Sequence, residues 1–179
     1  MKLVLVTGMP GAGKSVIAQA FQEVGCPIIV MGDVIREQAR LHGFEPNPRN
    51  TKKVMLELRE KHGLGAVALF CVDELKKLDS ELVVIEGCRS IAEIDVFDEY
   101  ADSLTIVCVH TSPKVRFTRL RERNREDAPT SWEVFRERDI REISVGLGGV
   151  IALSDIMLIN EGTLTDFQEE CIKLVRRLT

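Results

Sequence analysis

No cysteine pair of the CxxC type occurs in this chain, its three histidines stand alone, and no apolar run is long enough to span a membrane. The five cysteines, Cys26, Cys71, Cys88, Cys108 and Cys171, lie scattered, mostly among Val, Ile and Leu. They read as small buried hydrophobes in a reducing compartment, not as a disulfide framework. His42, His62 and His110 offer no metal-ligand spacing. Ahead of Thr7 there is a single lysine and then only LVLV, too short for the apolar region of a secretory leader. A cytoplasmic protein is the expectation. A formal net charge of -4 makes the whole molecule a poor general nucleic-acid binder. There is no repeat, low-complexity stretch or linker, so residues 1–179 are expected to form one domain. With 45% hydrophobic and 29% charged residues, that domain has ample material for a core.

What the sequence does contain is an alternation. The runs KLVLVTG, PIIVMGD, ELVVIEG, SLTIVCVH and DIMLIN are rich in Val and Ile and nearly continuous, which predicts strands buried on both faces. Between them lie charged stretches long enough for crossover helices. The expected fold is therefore α/β, a parallel sheet with helices on both sides. Two intervals exceed a minimal crossover, 34–78 and 112–153, and insertions at the carboxyl ends of such strands are where ligands sit.

Directly after the first run comes Gly8-Met9-Pro10-Gly11-Ala12-Gly13-Lys14-Ser15, which fits G-x-x-x-x-G-K-[ST] between a strand and a helix. Glycines let successive backbone N–H groups curl around an anion, and the positive end of the helix dipole points at it. In such a loop the lysine reaches the β- and γ-phosphates and the serine hydroxyl holds Mg²⁺. A dinucleotide fingerprint is the rival pattern, with Asp33 at the end of the second strand. It requires glycine where Val16 stands and leaves Lys14 without a role.

The loop, together with MGDVIREQARLHG after the second strand, ELVVIEGCRS at the third, TRLRERNRED after the fourth and INEGTLTDF after the fifth, resembles the nucleoside monophosphate kinases, adenylate kinase most closely. That resemblance implies a five-stranded parallel sheet of the P-loop kinase type, an acceptor-binding helical insertion at 34–78 and a short lid carried by 112–153. It implies ATP and Mg²⁺ as cofactors and small nucleotides as partners, with AMP as acceptor.

Residue by residue, Asp33 and Arg36 match the motif that opens the monophosphate-binding helix, where a guanidinium forks onto phosphate oxygens. Glu86 at the end of the third strand would order water around Mg²⁺, and Arg89 would grip the acceptor phosphate. Arg119 and Arg123 match the arginine pair that ends the helix from Pro113 and enters the lid. With Arg125 and Arg138 nearby, this region supplies fixed positive charge to a loose phosphoryl transition state. Asn160 lies in the loop whose backbone would border the adenine. Glu93 falls where the family has a base-reading glutamine, and Met31 replaces its threonine. A solvated, salt-bridged helix pair involving Glu122, Glu137, Asp139 and Glu142 is the plainer reading of the arginine-rich stretch.

Two other functions stay open. A dephospho-coenzyme A kinase would use Asp33 as general base toward a ribose hydroxyl. A nucleotide-dependent assembly factor with little kinase activity would use the arginine-rich helices on RNA.

Overall fold

In the computed structural model, which describes residues 1–123 and 128–179, the five apolar runs form one parallel sheet. The strands are β1 (Lys2–Thr7), β2 (Ile28–Val30), β3 (Leu82–Glu86), β4 (Ser103–His110) and β5 (Ile156–Ile159). Their order is β2-β3-β1-β4-β5, so β1 is central and the chain crosses over it between β3 and β4. Val6 is level with Glu86 on one side and Val107 on the other. The carboxyl ends of three strands therefore open onto one crevice, the usual ligand position in an open parallel sheet.

Side chains alternate along β1 into two separate cores, which is why its run is apolar throughout. Val4 and Val6 pack with Ile17 and Phe21 of α1 (Lys14–Glu23) and Phe167 and Leu174 of α9 (Leu164–Leu178). Leu3 and Leu5 face the opposite core, with Val83 and Ile85 of β3. That core is closed by α2 (Met31–Leu41), α3 (Pro48–His62), α4 (Ala66–Leu75) and α5 (Ile91–Tyr100). Each fully buried Leu or Ile contributes about 2 kcal/mol. Between β4 and β5 come α6 (Pro113–Glu122), α7 (Trp132–Ser144) and α8 (Leu147–Ala152).

Two strands differ from expectation. Of PIIVMGD, only Ile28–Val30 pairs with β3, and Met31 already begins α2. The register ends at Val30 opposite Glu86, so a longer edge strand would have no partner, while Met31 gains burial by turning inward. β5 is not buried on both faces. Ile156 and Leu158 pack toward α9, whereas Met157 and Ile159 remain 48% and 58% exposed, as an edge strand covered on one side allows. Four of the five cysteines are buried, Cys26 is half-buried, and all five are free thiols.

Candidate phosphate-binding site

The turn after β1 depends on its glycines. Gly8, Gly11 and Gly13 have φ of 136°, 83° and 107°, in the left-handed region that side chains avoid. A Cβ at Gly8 would lie 2.2 Å from the Val109 carbonyl oxygen, and one at Gly13 would lie 2.4 Å from Asn160 Nδ2. Gly13 is also the N-cap of α1 and supplies no side-chain cap, so the helix opens with its amide donors toward the crevice. Ser15 stands exposed in that first turn. Lys14 folds back over the loop, donating to the carbonyls of Gly8 at 2.8 Å and Met9 at 3.4 Å. Burial holds its ammonium down at about 8, Glu86 and Glu142 act against that shift, and Arg89 adds to it.

Beneath the loop, on the β4–β5 side, runs a buried polar girdle. Asn160 Nδ2 donates to the Ala12 carbonyl at 2.8 Å, and the Thr111 hydroxyl lies 2.9 Å from the same oxygen and 3.0 Å from the Asn160 carbonyl. Arg119 donates to the backbone and side-chain oxygens of Asn160 at 3.1 and 3.2 Å. Arg116 is 2% exposed. It donates to Thr111 and Pro10 carbonyls at 3.0 and 3.2 Å and forks onto Asp139 of α7 at 2.9 and 2.6 Å. Its guanidinium carbon also lies 4.9 Å from the centre of the Phe135 ring. The charged face of α6 is thus divided: Arg116 turns into the protein, and Arg119 is bound to the loop after β5.

The β3 side forms the other wall. Glu86 is half-buried at the strand end, where burial pushes its carboxyl up, Lys14 pulls it down and Asp33 pushes it further up. The Thr7 hydroxyl donates to the Cys88 carbonyl at 2.9 Å, tying this wall to the phosphate loop. Arg89 Nη1 donates to both oxygens of Glu142 at 3.2 and 3.0 Å. Gly8, Pro10, Lys14, Arg89, Glu142 and Leu147 line the same small cleft. Asp33 and Arg36 form an ion pair on the first turn of α2, with Arg36 Nε donating to Asp33 at 3.0 Å.

Glu93 requires a correction. It does not face the crevice as a base reader, because its side chain is 2% exposed. One carboxylate oxygen accepts from the amides of Arg89 at 2.7 Å and Ser90 at 3.2 Å, and the other accepts from Arg59 of α3 at 3.2 Å. Ser90-Ile91-Ala92-Glu93 is a capping box that starts α5. The Asn160 side-chain amide is bonded to the phosphate loop, which leaves its expected role, through the backbone of its own loop, untouched. Arg123 is the exposed C-cap of α6 and Arg138 lies half-buried on α7. Neither is among the described residues lining the cleft around Lys14. Arg125 lies outside the described residues.

The glycine cradle and Lys14 fit a polyphosphate. Among the described residues no group of three or more His, Cys, Asp or Glu could hold a metal by itself. Mg²⁺ takes few protein ligands and completes its shell with phosphates and water, so the Ser15 hydroxyl and the Glu86 carboxylate at the end of β3 are oxygen donors of the kind that suits it.

Residues 7–136 match the AAA domain family. A UPF0200 protein of Hyperthermus butylicus is 45% identical over 177 residues, covering 99% of this chain and 95% of its own length. This chain belongs to the UPF0200 family. A UPF0200 relative in Methanococcus maripaludis is 44% identical over 169 residues, covering 93% of this chain and 92% of its own. Among solved structures, shikimate kinase from Bacteroides thetaiotaomicron matches this UPF0200 protein with a TM-score of 0.69 at 16% identity, over 98% of this chain and 97% of its own. Dephospho-CoA kinase from Campylobacter jejuni matches with a TM-score of 0.60 at 15% identity, over 99% and 98%. Such identities speak for the fold alone, a parallel sheet with helices on both faces of the P-loop kinase type. Among the described residues no helix is long and apolar enough to cross a membrane.

Proposed function

We propose that this UPF0200 protein transfers the γ-phosphoryl of Mg-ATP to a small nucleotide-like acceptor, with AMP the first candidate. The carrying observation is a loop whose Gly8, Gly11 and Gly13 leave no room for a side chain, and which turns Gly8 and Lys14 into a cleft shared with Arg89. In the transfer, the acceptor oxygen forms its bond to phosphorus as the bond to the bridging oxygen of ADP breaks. No side chain needs to become covalently attached, since positioning and fixed charge carry the catalysis. Lys14 and the amides at the start of α1 would hold the donor phosphates. Mg²⁺, when bound beside Ser15, would neutralise charge on the phosphate oxygens. Arg36 and Arg89 would orient the acceptor, and the lid arginines Arg119, Arg123 and Arg138 would offset negative charge developing on the transferred group.

AMP is supported by the sequence resemblance and by these two arginines, while Glu93, bound to the start of α5 and to Arg59, does not bear on the choice of base. A second reading, phosphorylation of a ribose hydroxyl as in a dephospho-CoA kinase, would use Asp33, exposed on the first turn of α2, as the general base. An acceptor screen with purified protein, Mg-ATP, a panel of nucleoside monophosphates and dephospho-coenzyme A decides between them. Phosphorylation of AMP supports the first reading, and phosphorylation of dephospho-coenzyme A alone supports the second. No acceptor phosphorylation, with slow ATP hydrolysis and steeply salt-dependent RNA binding, would replace both with an assembly factor.

A further inference from the structure

Helix α7 presents Asp139 and Glu142 one turn apart, and each engages an arginine from a different wall of the cleft. Asp139 holds Arg116, which in turn donates to the Pro10 carbonyl of the phosphate loop. Glu142 holds Arg89, beyond the end of β3. The helix is anchored rather than loosely draped. Phe135 packs between Phe117 and Trp132 with ring centres 5.5 and 5.2 Å away, and the Arg116–Asp139 pair is nearly inaccessible to water. Glu142 is therefore delivered to a fixed place. Its side chain is only 14% exposed, and it lines the cleft with Gly8 and Lys14. The two cations that a phosphate would need on this side, Lys14 and Arg89, already face a carboxylate.

We propose that Glu142 is a specificity-determining residue: it competes with incoming phosphate oxygens for Arg89 and Lys14, and so rejects metal-free anions from the cleft. The inference rests on the reading of the cleft as a phosphate site and adds a selection rule to it. A bare polyphosphate brings like charge against a carboxylate that the anchored helix keeps in the cleft, and partial hydration weakens that repulsion without removing it. A polyphosphate paired with a divalent cation carries less net charge and meets less of it. Glu142 also works against the loss of the proton from Lys14, as a carboxylate facing that ammonium must. In the sequence Glu142 looks like one more acid on a salt-bridged helix, and only its placement against Arg89 singles it out.

The test is calorimetric titration of tripolyphosphate, in buffer containing EDTA, into the wild type, Glu142→Gln and the double variant Arg89→Met/Glu142→Gln. Glu142→Gln is expected to bind about tenfold tighter than wild type, the scale of one like-charge contact in a partly hydrated cleft. The double variant is expected to lose most of that gain, because the anion benefits through the released Arg89. A melting curve checks folding, and Glu142→Met, uncharged and of similar volume, replaces any variant that lacks a transition. Unchanged or weaker binding by Glu142→Gln, while the wild type binds Mg-ATP, overturns the inference alone. If no protein binds tripolyphosphate and the wild type does not bind Mg-ATP either, the phosphate-site reading falls and this inference falls with it.

Discussion

The two sides of the phosphate loop are built on different principles. On the β4–β5 side the Ala12 and Pro10 carbonyls are held by Asn160, Thr111 and Arg116, all buried. Leaving any of these groups unpartnered would cost about 1–3 kcal/mol, so this side has a strongly preferred arrangement. On the β2–β3 side, apart from the buried Arg59–Glu93 contact, two charge pairs are open to solvent on at least one partner, Arg36 with Asp33 and Arg89 with Glu142. The Arg36–Asp33 pair is exposed on both partners, contributes little and exchanges readily, whereas in the other pair only Arg89 is open to solvent and able to move off Glu142. The side proposed to hold the donor is a fixed mould, whereas the side proposed to hold the acceptor is a set of charges already partnered and available to be re-partnered.

The largest effect is expected at the mould's only lysine. Lys14→Ala should lower transfer at least a hundredfold, several kcal/mol of transition-state stabilisation, without lowering the melting temperature. Residual activity above about a tenth of wild type, in a kinase assay on well-folded protein, would remove Lys14 from the mechanism. Next comes the buried pair that anchors α7. Asp139→Ala leaves Arg116 charged and unmatched and should cost about 3 kcal/mol in urea unfolding. A loss under about 1 kcal/mol would mean that the two sides do not differ as described.

A smaller change is expected on the acceptor side. Arg36→Ala should alter stability by less than about 0.5 kcal/mol, since its pair with Asp33 is exposed. It should weaken acceptor binding about tenfold while leaving ATP affinity unchanged. Equal weakening of both nucleotides in separate titrations would erase the division between the sides. A separate effect concerns pH. Unfolded, Lys14 keeps its proton to about 10.5, and in the folded protein it releases it near 8. Between these values the unfolded chain binds more protons, so folding stability should rise with pH across that window. Subtracting the same stability curve for Lys14→Met should remove the rise.

The phosphate loop was legible because its conformation restricts residue type: three positions with positive φ admit little but glycine, and the pattern shows in the sequence. The sheet was legible because a strand buried on both faces must be apolar throughout. β5 broke that rule, since an apolar run does not reveal which strand will end at the edge. Glu93 is the more instructive miss. Ser90 followed three residues later by a glutamate is a helix-start signature present in the sequence itself, yet the family resemblance drew attention to a base-reading role. The local rule was the correct one. The girdle of Thr111, Arg116 and Asn160 had no comparable signal, because its contacts join residues far apart in the chain and depend on the completed sheet. Glu142 was hidden for the same reason, one acid among several until α7 was set against Arg89.

Ala12 is bonded by a residue 99 positions later and by another 148 positions later. The loop motif therefore leaves the ribosome long before the groups that hold it in shape. At about 5–20 residues per second, the interval between Ala12 and Asn160 is on the order of ten seconds. Over that time the nascent chain displays the glycines and Lys14 with no Asn160 beneath them. The loop should thus be one of the last parts of the growing polypeptide to gain its full set of bonds, which is complete when the fifth strand docks at the edge of the sheet.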